Sequence, residues 1–418
     1  MIASPARPSI IPLTNARRWS VVCLLSLGMI IAYVDRSNIS VALATHEFKA
    51  LFRLTDHDRG LLNSAFFWSY ALLQIPAGLL VDRFGVKRPY RIGFLFWSAV
   101  SAAAAVAGSL AQLLTLRILL GVGESVVTPA SIRWIRYNVA EKSRGAALGV
   151  YMAGTKFGPA VGAFLAAFLV QRYGWRAMFA LLGLGSLVWL IPWHILVRDD
   201  DRQLEAAQAA ATPAQAGSVW RSIALWGVLL GTFCYNYFVY FSMTWLPAYF
   251  VERRGLSLDS MGLYTAFSFG GMAVVAIVSG WLADRLIARG GDAVRVRKAF
   301  TIAGFAVAST EVFGAMASST DAAVLFAIVS LAGLGLATAN YWALTQTLMP
   351  GAAIGRIAGA QNCASNVSGI IAPLLTGWLK QSTGSYTAPM QAIWLFLLIG
   401  IGSYALLVRP KFVTRSAG

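Results

Sequence analysis

Long apolar runs, each near the length needed to cross a bilayer, alternate along this chain with short polar segments. A helix rises 1.5 Å per residue, so a hydrocarbon core of ~30 Å takes about 20 residues. Within lipid, a helix satisfies all of its backbone groups inside one segment. Twelve such runs can be read, near 19–44, 59–81, 90–108, 110–132, 144–170, 175–197, 221–250, 260–283, 298–317, 322–349, 353–380 and 387–408. One long polar break, RDDDRQLEAAQAAATPAQAG from Arg198 to Gly217, has no apolar face and divides the runs six and six. The pattern predicts an all-α membrane protein of 12 transmembrane helices in two six-helix halves. Its expected parts are a tail at 1–18, a first half at 19–197, a linker at 198–220, a second half at 221–408 and a tail at 409–418.

Composition agrees: 58% of the 418 residues are apolar and 12% charged, where soluble proteins carry roughly a quarter charged. A formal charge of +17 raises the question of nucleic acid, but the positions of the basic residues answer it. They lie in short loops. With the amino terminus inside, the inner segments hold Arg7, Arg17, Arg18, Arg83, Lys87, Arg88, Arg91, Arg133, Arg136, Lys142, Arg144, Arg285, Arg289, Arg295, Arg297, Lys298, Arg409, Lys411 and Arg415. The other side is sparse, which places both termini in the cytoplasm. The first run continues past Ala32 without a cleavage-type small-residue site, as an uncleaved span would. Cys23, Cys234 and Cys363 lie singly in apolar runs and read as packing residues; together with scattered His46, His57 and His194 they offer no metal spacing, and no cofactor motif appears.

The two halves echo one another. PAGLLVDRFGVKR, from Pro76 to Arg88, is matched by VSGWLADRLIARG, from Val278 to Gly290, so that Gly78, Asp82 and Arg83 correspond to Gly280, Asp284 and Arg285. Repeated halves with a site between them mark many secondary transporters. The run Gly78, Asp82, Arg83, Gly85, Lys87 and Arg88 between the second and third spans resembles the signature loop of the major facilitator superfamily. There a small Gly78 would permit close helix approach, and Asp82 would pair with basic neighbours. Tyr33-Val-Asp35-Arg36-Ser-Asn38, with FFWSYALLQIPAG, RILLGVGESVVTPAS and NVSGIIAPLLTG, is similar to the anion:cation symporter family within it, over nearly the whole chain. That resemblance implies the major facilitator fold.

Ionisable residues at membrane depth are costly unless paired or hydrated, and so are functional candidates. Five stand out: Asp35, Arg36, Arg117, Glu124 and Lys156. Asp35 and Arg36 fall within the first span or at its outer mouth, and a guanidinium there can grip a carboxylate. Arg117 and Glu124, seven apart, share one face of the fourth span, with Gly121 and Gly123 between them leaving room for a neighbouring helix or water. Lys156 interrupts a small-residue fifth span, as a second positive contact or as a snorkelling or paired lysine. Glu311 reads as a snorkelling or packing residue. By resemblance, Arg36 binds the anion, Asp35 and Glu124 carry protons with Arg117 assisting, and Tyr33, Tyr70 and Asn366 contact the ligand.

Tyr237 and Tyr240 share a face of the seventh span and are candidates to line a cavity. In the eleventh span Gln361, Asn362, Ser365, Asn366 and Ser368 suit a hydroxylated ligand, or else bond helix to helix. The expectation is a monomeric importer of a small organic anion in a bacterial inner membrane, driven by proton symport, with a sugar acid as first choice. An aromatic or dicarboxylate symporter, an anion exchanger or exporter, and a non-transporting anion sensor are the alternatives. No nucleophile and base or metal constellation suggests an enzyme.

Overall fold

A computed structural model describes residues 14–198, 219–349 and 354–409, the side chains of 141, 142, 219 and 354–356 excepted. Most of the expected linker at 198–220 and of both tails therefore lies outside the described residues. Span 1 is Asn15–Ala44, span 2 Asp56–Phe84, span 3 Lys87–Ala103 with the turn Ala104–Val106, and span 4 Leu110–Glu124 continued by Val127–Asn138. Spans 5 and 6 share the helix Glu141–Gly185, broken at Gly174, and span 6 runs on to Leu190–Leu196. In the second half, span 7 is Ile223–Thr244, extended by Leu246–Ala248 and Tyr249–Arg253. Span 8 is Leu258–Ala288, span 9 Ala293–Ala308 with Glu311–Met316, and span 10 Thr320–Leu348. Span 11 is Ile354–Thr383, and span 12 is Thr387–Gly402 with Ser403–Leu407.

Among the described residues, nine helical stretches are individually long and apolar enough to cross a bilayer. Nine become twelve for physical reasons. The 54-residue stretch Ser143–Leu196 is two spans joined across Gly174, whose φ of 81° only glycine adopts cheaply. Span 3 has only 17 residues before its closing turn, and span 11 is diluted by its amides and hydroxyls.

Local chemistry sets the ends. Thr14, Ser109, Ser222, Ser257, Asp292 and Ser319 each accept a backbone N–H at a helix start, and Thr55 with Asp58 forms a capping box. Prolines set the breaks. Pro129 has no N–H for the Ser125 carbonyl, so span 4 is interrupted just after Glu124; Pro247 likewise interrupts span 7 after Thr244. Large apolar side chains point outward, Leu72 at 76% and Ile75 at 77% exposure among them, which lipid accommodates and water would not. Of the cysteines, only Cys234 packs inside; Cys23 and Cys363 are exposed, contrary to the packing role expected of all three.

The face holding Thr14, Arg198, Val219 and Arg409 is termed terminal, and the other distal. In the first half, span 1 lies along span 5 on a ladder of small residues. A Cβ on Gly154 would sit 2.6 Å from the Ser26 carbonyl, one on Gly158 would strike Tyr33, and one on Gly162 would strike Ser37. Trp189 anchors the same half, stacked 4.4 Å from Phe94 and 5.1 Å from Tyr90 and donating its indole N–H to the Leu24 carbonyl at 2.9 Å.

The halves meet near the distal face. A Cβ on Gly60 of span 2 would stand 2.7 Å from the Pro373 carbonyl of span 11, and one on Gly262 of span 8 would stand 2.6 Å from Ala167 of span 5. Toward the terminal face, Gly145, Gly149 and Gly359 have no described atom within 4 Å of a Cβ position, and Gly78 meets only Pro129 of its own half at 4.0 Å. The close approach expected at Gly78 is thus not made: its Cβ position meets Pro129 of the same half alone among the described residues.

Candidate functional site

The four charged residues of spans 1 and 4 come together, buried, at the centre of the first half. The break after Glu124 leaves its carboxylate at a helix end facing span 1. Arg36 donates from Nε to Glu124 Oε2 at 2.6 Å, with side chains 3% and 0% exposed. This is a single contact where the two groups could make two: no hydrogen bond reaches Arg36 Nη2 or Glu124 Oε1. A buried charged donor left without a hydrogen bond costs on the order of 1–3 kcal/mol or more.

Aromatic faces surround the guanidinium, which lies 4.5 Å from the ring centres of Tyr33 and Tyr70 and 4.8 Å from that of Phe66. Such cation–π contacts hold a cation without neutralising it. Tyr70 stacks on Phe66 and its hydroxyl meets that of Thr128 at 3.3 Å. Phe66 was not singled out from the sequence, where it is one aromatic among many.

Arg117 does not pair with a carboxylate. Its guanidinium donates to the carbonyls of Leu62, Asp35 and Arg36 at 3.2–3.3 Å, tying spans 1, 2 and 4 together beneath the site. The shared face of Arg117 and Glu124 holds, but glycine provides helix contact there and not water: Gly121 abuts span 2 at the Phe66 carbonyl and Ser69, and Gly123 abuts Trp97 of span 3. Asp35 turns away from Arg36 toward span 3 and accepts from Ser101 Oγ at 2.6 Å. Ser101 was also missed; one hydroxyl within an alanine-rich run carries no signal of its partner.

Lys156, on span 5, reaches across to the second half, with Nζ 5.3 Å from the Tyr235 ring centre. It makes no hydrogen bond or ion pair with any described residue, so neither the snorkelling nor the paired arrangement is seen. Tyr235 is held in turn by Thr338 at 2.6 Å and by the Tyr341 ring at 4.7 Å. From span 7, Tyr240 meets Phe67 of span 2 at 4.6 Å across the halves, whereas Tyr237 packs on Phe396 of span 12 at 4.2 Å. Tyr237 therefore sits inside the second half, away from Arg36, and is not part of the cluster. A three-residue step leaves the two side chains about 60° apart on one broad face, enough for Tyr240 to meet span 2 while Tyr237 meets span 12.

On span 11, Gln361 bonds to Thr232 of span 7 at 3.1 Å, as helix-to-helix bonding predicts. Asn366 is 4% exposed and hydrogen-bonds to no described residue. Glu311 is 2% exposed and accepts from Ser330 at 2.5 Å, within the second half. It is a packing residue and does not snorkel.

Both signature aspartates pair at the terminal face: Asp82 with Arg133, and Asp284 with Arg297 at 2.8 Å. Gly85 ends span 2 at φ 79°, and Arg83 and Arg285 lie over Phe84 and Trp281. Lys87 begins span 3, and Arg88, exposed beside it, faces outward.

A second ionic cluster, not foreseen from the sequence, seals the distal face across both halves. Glu252 of the turn after span 7 accepts from Lys49 at 2.5 Å, Arg59 at 3.0 Å, Lys380 at 2.9 Å and the Tyr386 hydroxyl at 2.8 Å. Asp56 shares Arg59 at 2.6 Å and Lys380 at 2.8 Å. The cluster borders a shallow cleft of about 440 Å³. Burial pushes the Glu252 carboxyl up, but Arg59, Lys49 and Lys380 more than offset this and draw it down to about 2. Its residues lie at the distal ends of helices, where each alone looks like solvated surface.

Comparison with known proteins follows the same lines. The family model described as Major Facilitator Superfamily matches residues 25–373. The chain is 32% identical over 416 residues to the probable sulfoacetate transporter of Cupriavidus necator, covering 96% of this chain and 95% of that one. It is 30% identical over 417 residues to the D-galactonate transporter of Escherichia coli, covering 94% and 96%. Among solved structures, a bacterial homologue of the human lysosomal transporter Spinster, titled inward-facing and occupied, superposes with a TM-score of 0.82 at 17% identity, covering 97% of this chain and all of that one.

Proposed function

Because the chain belongs to the major facilitator superfamily, among transporters and not enzymes, we propose that it imports a small organic anion by proton symport. Relatives named for galactonate, hexuronate and sulfoacetate support the anion, and the half-satisfied Arg36–Glu124 pair supports the coupling. A substrate carboxylate takes the unspent Arg36 donor and displaces Glu124. A carboxylate so deprived of its counter-cation at depth is neutralised by a proton, since burying an unpaired charge is costly. Asp35, off to the side on Ser101, is the second proton position, and Arg117 fixes the backbone that carries Asp35 and Arg36. Tyr33, Tyr70 and Asn366 offer hydroxyl and amide partners that suit a sugar acid, with aromatic and dicarboxylate anions as the other classes.

The two halves, 19–197 and 221–408, rock about the site. The terminal face is the cytoplasmic one, in keeping with its excess of Arg and Lys, and the carrier works as a monomer in a bacterial inner membrane. Coupling requires that anion and proton together favour the occluded form more than either does alone.

The test is uptake of labelled D-galactonate and sulfoacetate into proteoliposomes under an imposed pH gradient. Glu124→Gln should abolish gradient-driven accumulation while leaving exchange of preloaded anion. Full accumulation by this variant would overturn the proton assignment, and trans-stimulation indifferent to the gradient in the unsubstituted protein would favour an exchanger.

A further inference from the structure

We propose that the substrate carries two anionic groups, one held by Arg36 and the other by Lys156. This rests on the anion-carrier reading above and narrows its substrate class. The charges in the middle of the first half do not balance. Three cations, Arg36, Arg117 and Lys156, face two carboxylates, Asp35 and Glu124. Arg117 is spent on three carbonyls and lies beside Asp35, whose backbone it holds. Arg36 is matched by Glu124. Lys156 is matched by nothing: its ammonium has only the face of Tyr235, and no described carboxylate or carbonyl reaches it.

An ammonium kept at membrane depth without a counter-charge is expensive, and an aromatic face offsets only part of that cost. A monoanion on Arg36 would free Glu124 for a proton and leave Lys156 as it was. A dianion satisfies both. With the first proton on Glu124 and Asp35 still ionised beside Arg117, two substrate charges balance Arg36 and Lys156 and the site is neutral, the Asp35 proton belonging to a separate step of the cycle. This is the form best able to pass through a closed, low-dielectric intermediate.

Geometry fixes how the two cations are arranged. Spans 1 and 5 run side by side in the same direction, with Gly158 level with Ile30 and Tyr33 and Gly162 level with Val34 and Ser37. In that register Lys156 lies about six residues toward the terminal face from Arg36, an offset of ~9 Å along the helices. Tyr33 bridges the interval, its ring against the Arg36 guanidinium and its Cβ against Gly158. The two side chains therefore leave their helices at different depths along the path between the faces. The planar fork of Arg36 suits a carboxylate, and the compact ammonium of Lys156 suits a carboxylate or a sulfonate equally well. Both cations belong to one half, so their spacing does not change as the halves move.

The experiment compares twins that differ by one charged group, galactarate with galactonate and sulfoacetate with acetate. Thermal shift of the purified protein is measured, together with competition in the proteoliposome assay. In at least one pair the dianion should act at about tenfold lower concentration than its monoanionic twin. Lys156→Gln should reduce that ratio about tenfold, and Lys156→Arg should restore it. Equal response to both members of each pair, or a preference kept by Lys156→Gln, overturns the second contact while leaving the anion-carrier reading in place. Response to none of the four, with no gradient-driven uptake, overturns both. The comparison within the unsubstituted protein decides the matter even if a variant fails to fold.

Discussion

Replacing Glu252 by Gln should unlatch the distal face. In the closed arrangement this carboxylate receives three cations and a tyrosine hydroxyl, and its side chain is 18% exposed. The pull from an ordinary 4.5 to about 2 corresponds, at 1.36 kcal/mol per pH unit, to roughly 3 kcal/mol favouring closure over an open form in which water surrounds the group. Gln keeps the shape and part of the hydrogen bonding, so this is an upper figure, equivalent to roughly a hundredfold shift in the ratio of closed to open. Spin labels at Leu51 and Ser382, both exposed and on opposite halves at this face, would read the separation as two distance populations. The open population should grow at least tenfold. A change of less than twofold would refute the assignment of Glu252 as the latch.

The pH dependence follows from the same numbers. Since the carboxyl is depressed in the closed form, its contribution is fully present above the ordinary 4.5 and is lost only as pH falls from there toward about 2. Between pH 5 and 8 the latch is constant, so distance distributions that change within that window must draw on other groups.

Two further outcomes follow. Gly262→Val would force a side chain to within 2.6 Å of Ala167 and should enrich the same distal-open population with no change of charge, read by the same labels. Trp189→Ala removes a fully packed indole and its bond to Leu24; it should cost about 3–5 kcal/mol and lower the melting temperature of the purified protein, whereas an unchanged melting temperature would show that the stack contributes little.

The helices were legible because lipid imposes one strong rule, a run of apolar residues of fixed length, and each of the twelve runs has its helix. Charged groups at depth were legible for the same reason: Arg36 and Glu124 stand out against an apolar background and meet. Their partners were not legible. Periodicity tells which residues share a face of one helix but not toward which neighbour that face turns, so Arg117 could not be seen to spend itself on carbonyls of spans 1 and 2, nor Tyr237 to face span 12. Ser101, Phe66 and Tyr235 carry no mark of rarity in such a chain. The distal latch joins residues up to 324 positions apart, His57 to Gln381 and Asp56 to Lys380 among them, and no local pattern encodes that.

The small-residue ladder of span 5, with glycine at every fourth position from Gly154 to Gly162, has a bearing on how such carriers diversify. It locks the segment bearing Lys156 to the one bearing Arg36, so the ionic machinery travels as a single preassembled block. Among the described residues, the contacts from the opposing half to that block are neutral, Tyr240 against Phe67 and Tyr235 against the Lys156 ammonium. Substitution in the opposing half would leave that packing untouched, much as a lathe keeps its chuck while the cutting tool is exchanged.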